Sequence, residues 1–257
     1  AISGVLSFAV LCRKFTDLKM NKEECAFSKS ACVRLMGIGV PMGLQCSITA
    51  IGSVIMQAAV NVLGSTAVAA VTAAGKTMGL LTVPLESIGT AMATYAGQNL
   101  GAARMDRVRK GVNSALIIAA IYAVASLIIL HYADITIMGL FLDTSKEVEI
   151  VAMGRQYLFW NSVFFIPLGW LIVWRYSIQG LGFSSLAMLA GVAEMVARTA
   201  VALALVPLLG YMGAIMANPA AWVAACLFLY PAYIWTCRQL DNRLLAAKLH
   251  MQGPHAE

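Results

Sequence analysis

The chain has 257 residues, of which 60% are hydrophobic and only 12% charged, and its mean hydropathy is +0.80. A soluble domain carries about 25% charged residues, and a soluble core of this size cannot hide so much apolar surface, so lipid must be the solvent for much of the chain. The net charge of +6 does not point to nucleic acid, because the basic residues sit in short clusters between apolar runs, as loop charges of a membrane protein do.

The chain opens on the apolar stretch Ala1–Leu11, which no basic residue precedes and which Arg13 and Lys14 follow. A signal peptide has the opposite order, and Leu11 is too large for a lipoprotein cleavage site before Cys12. Residues 1–11 read as the last turns of a transmembrane helix that begins upstream, which makes the chain a piece of a longer protein. Residues 12–30 are mixed and charged and read as a cytoplasmic connector, with Ser28 or Ser30 placed to cap the next helix.

Six apolar runs follow, near Leu35–Leu63, Ala67–Leu100, Val112–Tyr132, Val148–Ile178, Ser185–Leu209 and Met212–Thr236. Each exceeds the roughly 20 residues that cross a bilayer. Their Gly, Ala, Ser and Pro content lets helices approach closely. The fold class is therefore an all-α integral membrane protein, with a six-transmembrane-helix bundle over 31–238 and a cytoplasmic tail over 239–257. Trp222, Tyr230, Tyr233 and Trp235 supply candidates for an interfacial belt on the last span.

Loop charges set the orientation. With Cys12–Arg34 inside, the inner segments carry Arg13, Lys14, Lys19, Lys22, Lys29 and Arg34, then Arg104, Arg107, Arg109 and Lys110, then Arg238, Arg243 and Lys248. The outer loops carry only Lys146, a bias that satisfies the positive-inside rule. Lys76, Arg155, Arg175 and Arg198 fall within the apolar runs. The six cysteines form no CxxC pair and are expected as reduced thiols. The three histidines have no ligand spacing, so neither a metal nor a cofactor is expected.

Residues that are expensive in lipid carry the functional signal. In Pro84–Lys110 an apolar run contains Pro84, expected to bend the helix, and the carboxylate Glu86; it ends at Gly101 in a tight exit. Glu86 has no basic partner nearby in sequence and reads either as a transport residue or as a hydrated group near the inner interface. Lys76 stands too deep to snorkel easily and is expected to face a wet cavity or a carbonyl cluster. Glu194 and Arg198 are four apart, so they share a helix face and can neutralise each other, either structurally or as part of an ion pathway. Arg175 is expected to snorkel or to pair with loop groups. Gln45, Thr49, Ser53, Gln57 and Asn61 repeat at four, and read as one polar face that either bonds between helices or lines a water-filled cleft. Among the 14 methionines, Met42, Met56, Met78 and Met92 fall on the first two complete spans, where Met fills a core or makes an adaptable surface.

The same stretches carry a family resemblance. IGVPMGLQ with a later N-x-x-G (Asn61 to Gly64) resembles helix seven of MATE (multidrug and toxic compound extrusion) transporters. AVAAVTAAGKTMGLLTVPLESIG through GQNLGA resembles helix eight, RYSIQGLGFS the end of helix ten, GVAEMVAR helix eleven, and PLLGYMGAIMANPAAW the join of helices eleven and twelve. The order and spacing are similar to the DinF-like or NorM-like bacterial branch.

This resemblance implies a twelve-helix antiporter of two six-helix lobes, with residues 1–11 the end of helix six and 31–238 the C-terminal lobe, helices seven to twelve. It implies export of organic cations and other drugs across the inner (plasma) membrane in exchange for H⁺ or Na⁺. The implied partners are the lipid bilayer, the drug and the N-terminal lobe of the same protein. Some bacterial members carry a Glu in helix seven where this chain has Thr49, and an Asp in helix ten where it has Glu149 only at the outer edge. That argues against a sodium site of that type here and leaves the coupling ion open. A lipid-linked oligosaccharide flippase of the same superfamily would want more cleft arginines and lysines. A membrane enzyme would want paired acids, a Ser/Lys dyad or a histidine cluster at membrane depth. A non-transporting membrane scaffold is the remaining alternative.

Overall fold

A computed structural model describes residues 4–6, 9–10, 27–139 and 147–252. It falls into two units, Ala1–Gly37 and Ile38–Glu257. The first contains helical residues at 4–6 and 9–10 and the beginning of α1 (Lys29–Asn61). Ser28 caps α1: its Oγ accepts the Ala31 N–H at 3.4 Å, three residues on, as an N-cap does. The expected connector lies mostly outside the described residues.

The second unit holds the rest of α1, then α2 (Ser65–Gly101), α3 (Met105–Met138), α4 (Val148–Val163), α5 (Phe165–Gly180) and α6 (Ser184–Ala204). Two short helices, α7 (Val206–Leu209) and α8 (Tyr211–Ile215), lead into α9 (Ala217–Gln252). Five helical stretches are long and apolar enough to cross a bilayer, and α4 with α5 makes a sixth when taken as one broken span. The described residues include no strand.

Side-chain size explains why lipid suits this bundle. The inward face of α3 is built from small groups, Ala115, Ala119, Ala123 and Ser126, while Ile117, Ile121 and Ile128 point outward and are more than half exposed. Small residues let the helices pack closely, and large aliphatic ones are left for the solvent, which must then be apolar. The central core forms around Leu85, Phe165, Leu171, Ile172, Ile178 and Leu229.

Helix α2 continues through Pro84 without a break. A break that the sequence did not mark lies elsewhere, a 53° bend between α4 and α5. Pro167 has no N–H to return to the carbonyl of Val163. The Phe164 N–H turns instead to the Asn161 carbonyl at 3.1 Å, three residues back, and the axis changes direction there.

The tight exit forms where expected: α2 ends at Gly101, and Ala103 just beyond takes the left-handed conformation at φ 55°. The Arg104 N–H reaches the Asn99 carbonyl at 2.8 Å and the Ala103 N–H reaches Leu100 at 2.9 Å, the two bonds of a Schellman ending. The same pair of bonds ends α5, where Gly182 holds the left-handed position at φ 88°. An L-side chain there costs about 1–2 kcal/mol, so Ala103→Gly is expected to raise stability by about 1 kcal/mol. Thermal unfolding in detergent reads this, and an unchanged or lower midpoint would refute the strain argument.

The belt candidates divide. Tyr230 and Trp235 are about half exposed, whereas Trp222 and Tyr233 are buried in the bundle. Asp134, two residues past the apolar run that ends near Tyr132, is still part of α3 and accepts the Arg155 Nε–H at 2.5 Å, tying α3 to α4.

Candidate functional site

Polar side chains from four helices meet in the second unit. On α6 Glu194 is 3% exposed, and Arg198, one turn further on, is 7% exposed. The expected contact between them exists at 3.7 Å, but it is the longer of two. The Arg175 guanidinium from α5 bonds the other carboxylate oxygen. Arg175 therefore neither snorkels nor pairs with a loop: it is 9% exposed and locked into a buried Arg–Glu–Arg triad. Burial forces this, since an unpaired charge at such depth is far costlier than a paired one. The second guanidinium also leans on α1, where Arg198 Nη1 donates to the Thr49 carbonyl at 3.5 Å.

Next to the triad, Gln179 Nε2 donates to Gln45 Oε1 at 2.6 Å, linking α5 to α1. The adjoining Tyr176 hydroxyl donates to Glu86 Oε2 at 2.7 Å, linking α5 to α2. Residues 175, 176 and 179 thus deliver three contacts from a little over one turn of α5. Their types were visible in the sequence, inside RYSIQG, but their roles were not.

Glu86 lies on the wall of a cavity of about 700 Å³. Helix α2 supplies one wall through Met78, Thr82, Glu86 and Thr90, while Tyr157 of α4, Arg198 of α6, and Asn218 and Trp222 of α9 close the other side. Asn218 Nδ2 donates to the Tyr157 hydroxyl at 2.8 Å, fixing that corner. Glu86 stands about 31 Å from the start of α2 and about 22 Å from its end, at 1.5 Å per residue. That is in the middle part of the helix rather than in its end turns. Among the described residues its hydrogen-bond partner is a neutral phenol, and the cavity it faces is also lined by the Arg198 guanidinium.

Other candidates fall outside this assembly. Lys76 is exposed and off the cavity wall, although its neighbours Gly75 and Gly79 are on it. The polar repeat on α1 does not keep one face. Gln45 is buried and Thr49 half-buried, but Ser53, Gln57 and Asn61 are exposed, and Gln57 donates to Asn61 at 3.0 Å instead of joining the triad. Steps of four residues overshoot a 3.6-residue turn by about 40°, so the stripe from 45 to 61 rotates by about 160°. Of the singled-out methionines, Met78 lines the cavity, Met92 is buried in the core, Met56 packs on a smaller cluster and Met42 is exposed.

Chemically, the arrangement offers a fixed ionic core that ties α5 to α6, and beside it a single tethered carboxylate open to a half-apolar hollow. The second is suited to reversible pairing with a cation; the first is suited to holding shape.

Residues 41–204 match the family model described as MatE. Among curated relatives, the probable multidrug resistance protein YpnP of Bacillus subtilis (strain 168) is 30% identical over 135 residues, 52% of this chain and 30% of that protein. The probable multidrug resistance protein YoeA of the same organism is 24% identical over 148 residues, 58% of this chain and 30% of that protein. A crystal structure of MATE in the bent conformation superposes with a TM-score of 0.77 at 15% identity, over 95% of this chain and 54% of that one. The matched part of this chain thus spans under a third of the curated relatives and about half of the solved structure.

Proposed function

The chain belongs to the MatE family, and from that premise we propose that it forms one six-helix lobe of a multidrug exporter in the plasma membrane. Its partner in this reading is a second lobe of the same protein. The two rock about a shared cleft, export organic cations and other xenobiotics, and are driven by entry of H⁺ or Na⁺. The supporting observation is Glu86: a mid-helix carboxylate on the wall of a cavity of about 700 Å³, held by a phenol rather than by a guanidinium. Intramembrane acids mark substrate and ion pathways, and this one is oriented by a phenol and makes no ion pair within salt-bridge distance among the described residues. Thr82, Thr90 and Asn218 add neutral polar groups, and Met78 and Trp222 add apolar area, which together suit an organic cation with an aromatic body.

Ethidium binding to the purified chain in detergent tests this reading. Glu86→Gln removes the charge but keeps the shape. A hydrogen bond or contact to a charged group is worth about 1.5–3 kcal/mol, so affinity is expected to fall by about ten- to a hundredfold while the unfolding midpoint stays near that of the parent chain. An unchanged affinity in a well-folded Glu86→Gln protein would overturn the assignment. Efflux itself is expected only when the chain is expressed together with its other lobe.

A further inference from the structure

A second hollow runs between α3, α5 and α9. Its apolar part, about 540 Å³, is walled by Leu116, Trp170, Trp174, Val223, Leu227 and Tyr230. Its polar part, about 300 Å³, shares Leu116, Trp174 and Tyr230 and adds Arg109, Asn113, Tyr233 and Arg238. The shared residues make these one groove with an apolar stem and a basic head. The groove uses other faces than the cavity does: on α9 Leu227 and Tyr230 point away from the side of Asn218 and Trp222, and on α5 Trp170 and Trp174 point away from Leu168.

The stem is open to the surroundings, with Leu227 73% exposed and Tyr230 54% exposed, and at this depth the surroundings are acyl chains. It is also preformed. The Trp170 and Trp174 rings lie 6.0 Å apart, Trp174 and Tyr230 lie 5.5 Å apart, and the Trp170 indole N–H donates to the Leu116 carbonyl at 3.3 Å. At the head, Arg109 is paired with Asp241, but Arg238 is exposed and has no ion pair among the described residues. The head therefore keeps an excess positive charge. The Tyr233 hydroxyl beside it is buried and meets no partner stronger than the neighbouring Cys237 thiol, a weak acceptor that leaves its O–H available to a better one. A guanidinium, a hydroxyl and the Asn113 amide are the donors that a phosphodiester accepts from.

Length agrees with the chemistry. From Val223 to Arg238 along α9 is about 22 Å, which is half of a bilayer about 40–45 Å thick with its headgroups. The groove thus runs from headgroup level to the bilayer midplane, the depth of one leaflet, and its basic head lies with the Arg104–Lys110 cluster that the positive-inside rule places in the cytoplasm. We propose that it holds one anionic glycerophospholipid of the inner leaflet, with an acyl chain along Trp170, Trp174 and Tyr230 and the phosphate at Arg238, Tyr233 and Asn113. Basic pockets between membrane helices on the cytoplasmic side recognise such headgroups.

The test counts lipid bound to the purified 257-residue chain by native mass spectrometry, titrating dioleoyl phosphatidylglycerol and, separately, dioleoyl phosphatidylcholine. The anionic lipid is expected to bind about fivefold more tightly, as one unpaired arginine near the surface supplies. Arg238→Gln should remove that preference. Val223→Trp fills the stem without touching a charge and should weaken both lipids. Arg107→Gln, an exposed arginine outside the groove, should leave both unchanged. Equal affinities in the parent chain, an equal loss in Arg107→Gln, or no effect of Val223→Trp would each overturn the proposal. Displacement of the lipid by inorganic phosphate would also overturn it, since the site would then recognise a phosphate without its tail.

Discussion

Glu194→Gln is expected to lower the stability of the bundle by about 3–5 kcal/mol, the range for removing one partner of a buried ion pair. The substitution leaves Arg175 and Arg198, both under 10% exposed, as two buried cations without the carboxylate that they share. Arg175→Met should be nearly as harmful, because it removes the closer partner. Arg198→Met should be milder, since its contact with Glu194 is 3.7 Å and its other bond, to the Thr49 carbonyl, is 3.5 Å. From spacing alone, a Glu194→Gln, Arg198→Met double change ought to restore neutrality. The structure predicts otherwise, because that pair of changes strands Arg175. Only a triple replacement of Arg175, Glu194 and Arg198 by apolar groups of similar size should approach the parent, as replacing a whole buried triad often does. Monodisperse yield and thermal unfolding in detergent report the series. A double mutant as stable as the triple would show that Arg175 is not the partner that matters.

The sequence revealed this fold unevenly, and the reason is range. Apolar runs longer than a bilayer and the small-residue content gave the spans, the family motifs gave their order, and Ser28 gave the start of α1. Each of these signals is local or cumulative. The contacts that build the site are neither. Arg175 and Glu194 are 19 residues apart, Glu86 and Tyr176 are 90 apart, and Gln45 and Gln179 are 134 apart. Helical periodicity sees only partners three or four residues away, so it found Glu194 with Arg198 and missed the nearer arginine. It also treated the polar repeat on α1 as a straight stripe, where the 40° drift per step separates Gln45 and Thr49 from Gln57 and Asn61. The break before α5 leaves no local mark, because Pro167 sits in an apolar run of unchanged hydropathy, whereas Pro84 stands two residues from a charge. Lys76 was placed by its depth, which fixes distance along an axis but not the direction in which a side chain points.

The crossing of α2 and α5 separates stability from function, and two glycines on it are expected to fail in different ways. At Gly180 an added Cβ would lie 2.2 Å from the Ala93 carbonyl oxygen. Backbone atoms of a packed helix cannot step aside, so the two helices must part. Overpacking of this kind costs about 1–3 kcal/mol, partly offset by about 1 kcal/mol from replacing a helical glycine. At Gly89 an added Cβ would lie 2.6 Å from Cδ2 of Tyr176 and 2.7 Å from Cγ2 of Ile172. Side chains can move, and when the Tyr176 ring swings off Gly89 its hydroxyl leaves Glu86, which it reaches at 2.7 Å. Gly89→Ala should therefore resemble Tyr176→Phe: an unfolding midpoint close to the parent, with Glu86 no longer held toward the cavity. Losing the orientation of one side chain is worth about 0.5–1.5 kcal/mol, so ethidium affinity should fall about two- to tenfold. Gly180→Ala should lose both stability and affinity, because the helices that carry Glu86 and Tyr176 are pushed apart together. Thermal unfolding and ethidium titration on the same preparations distinguish the cases. If Gly89→Ala unfolds as early as Gly180→Ala, the glycine serves packing alone; if Tyr176→Phe binds ethidium as the parent does, the phenol does not position Glu86.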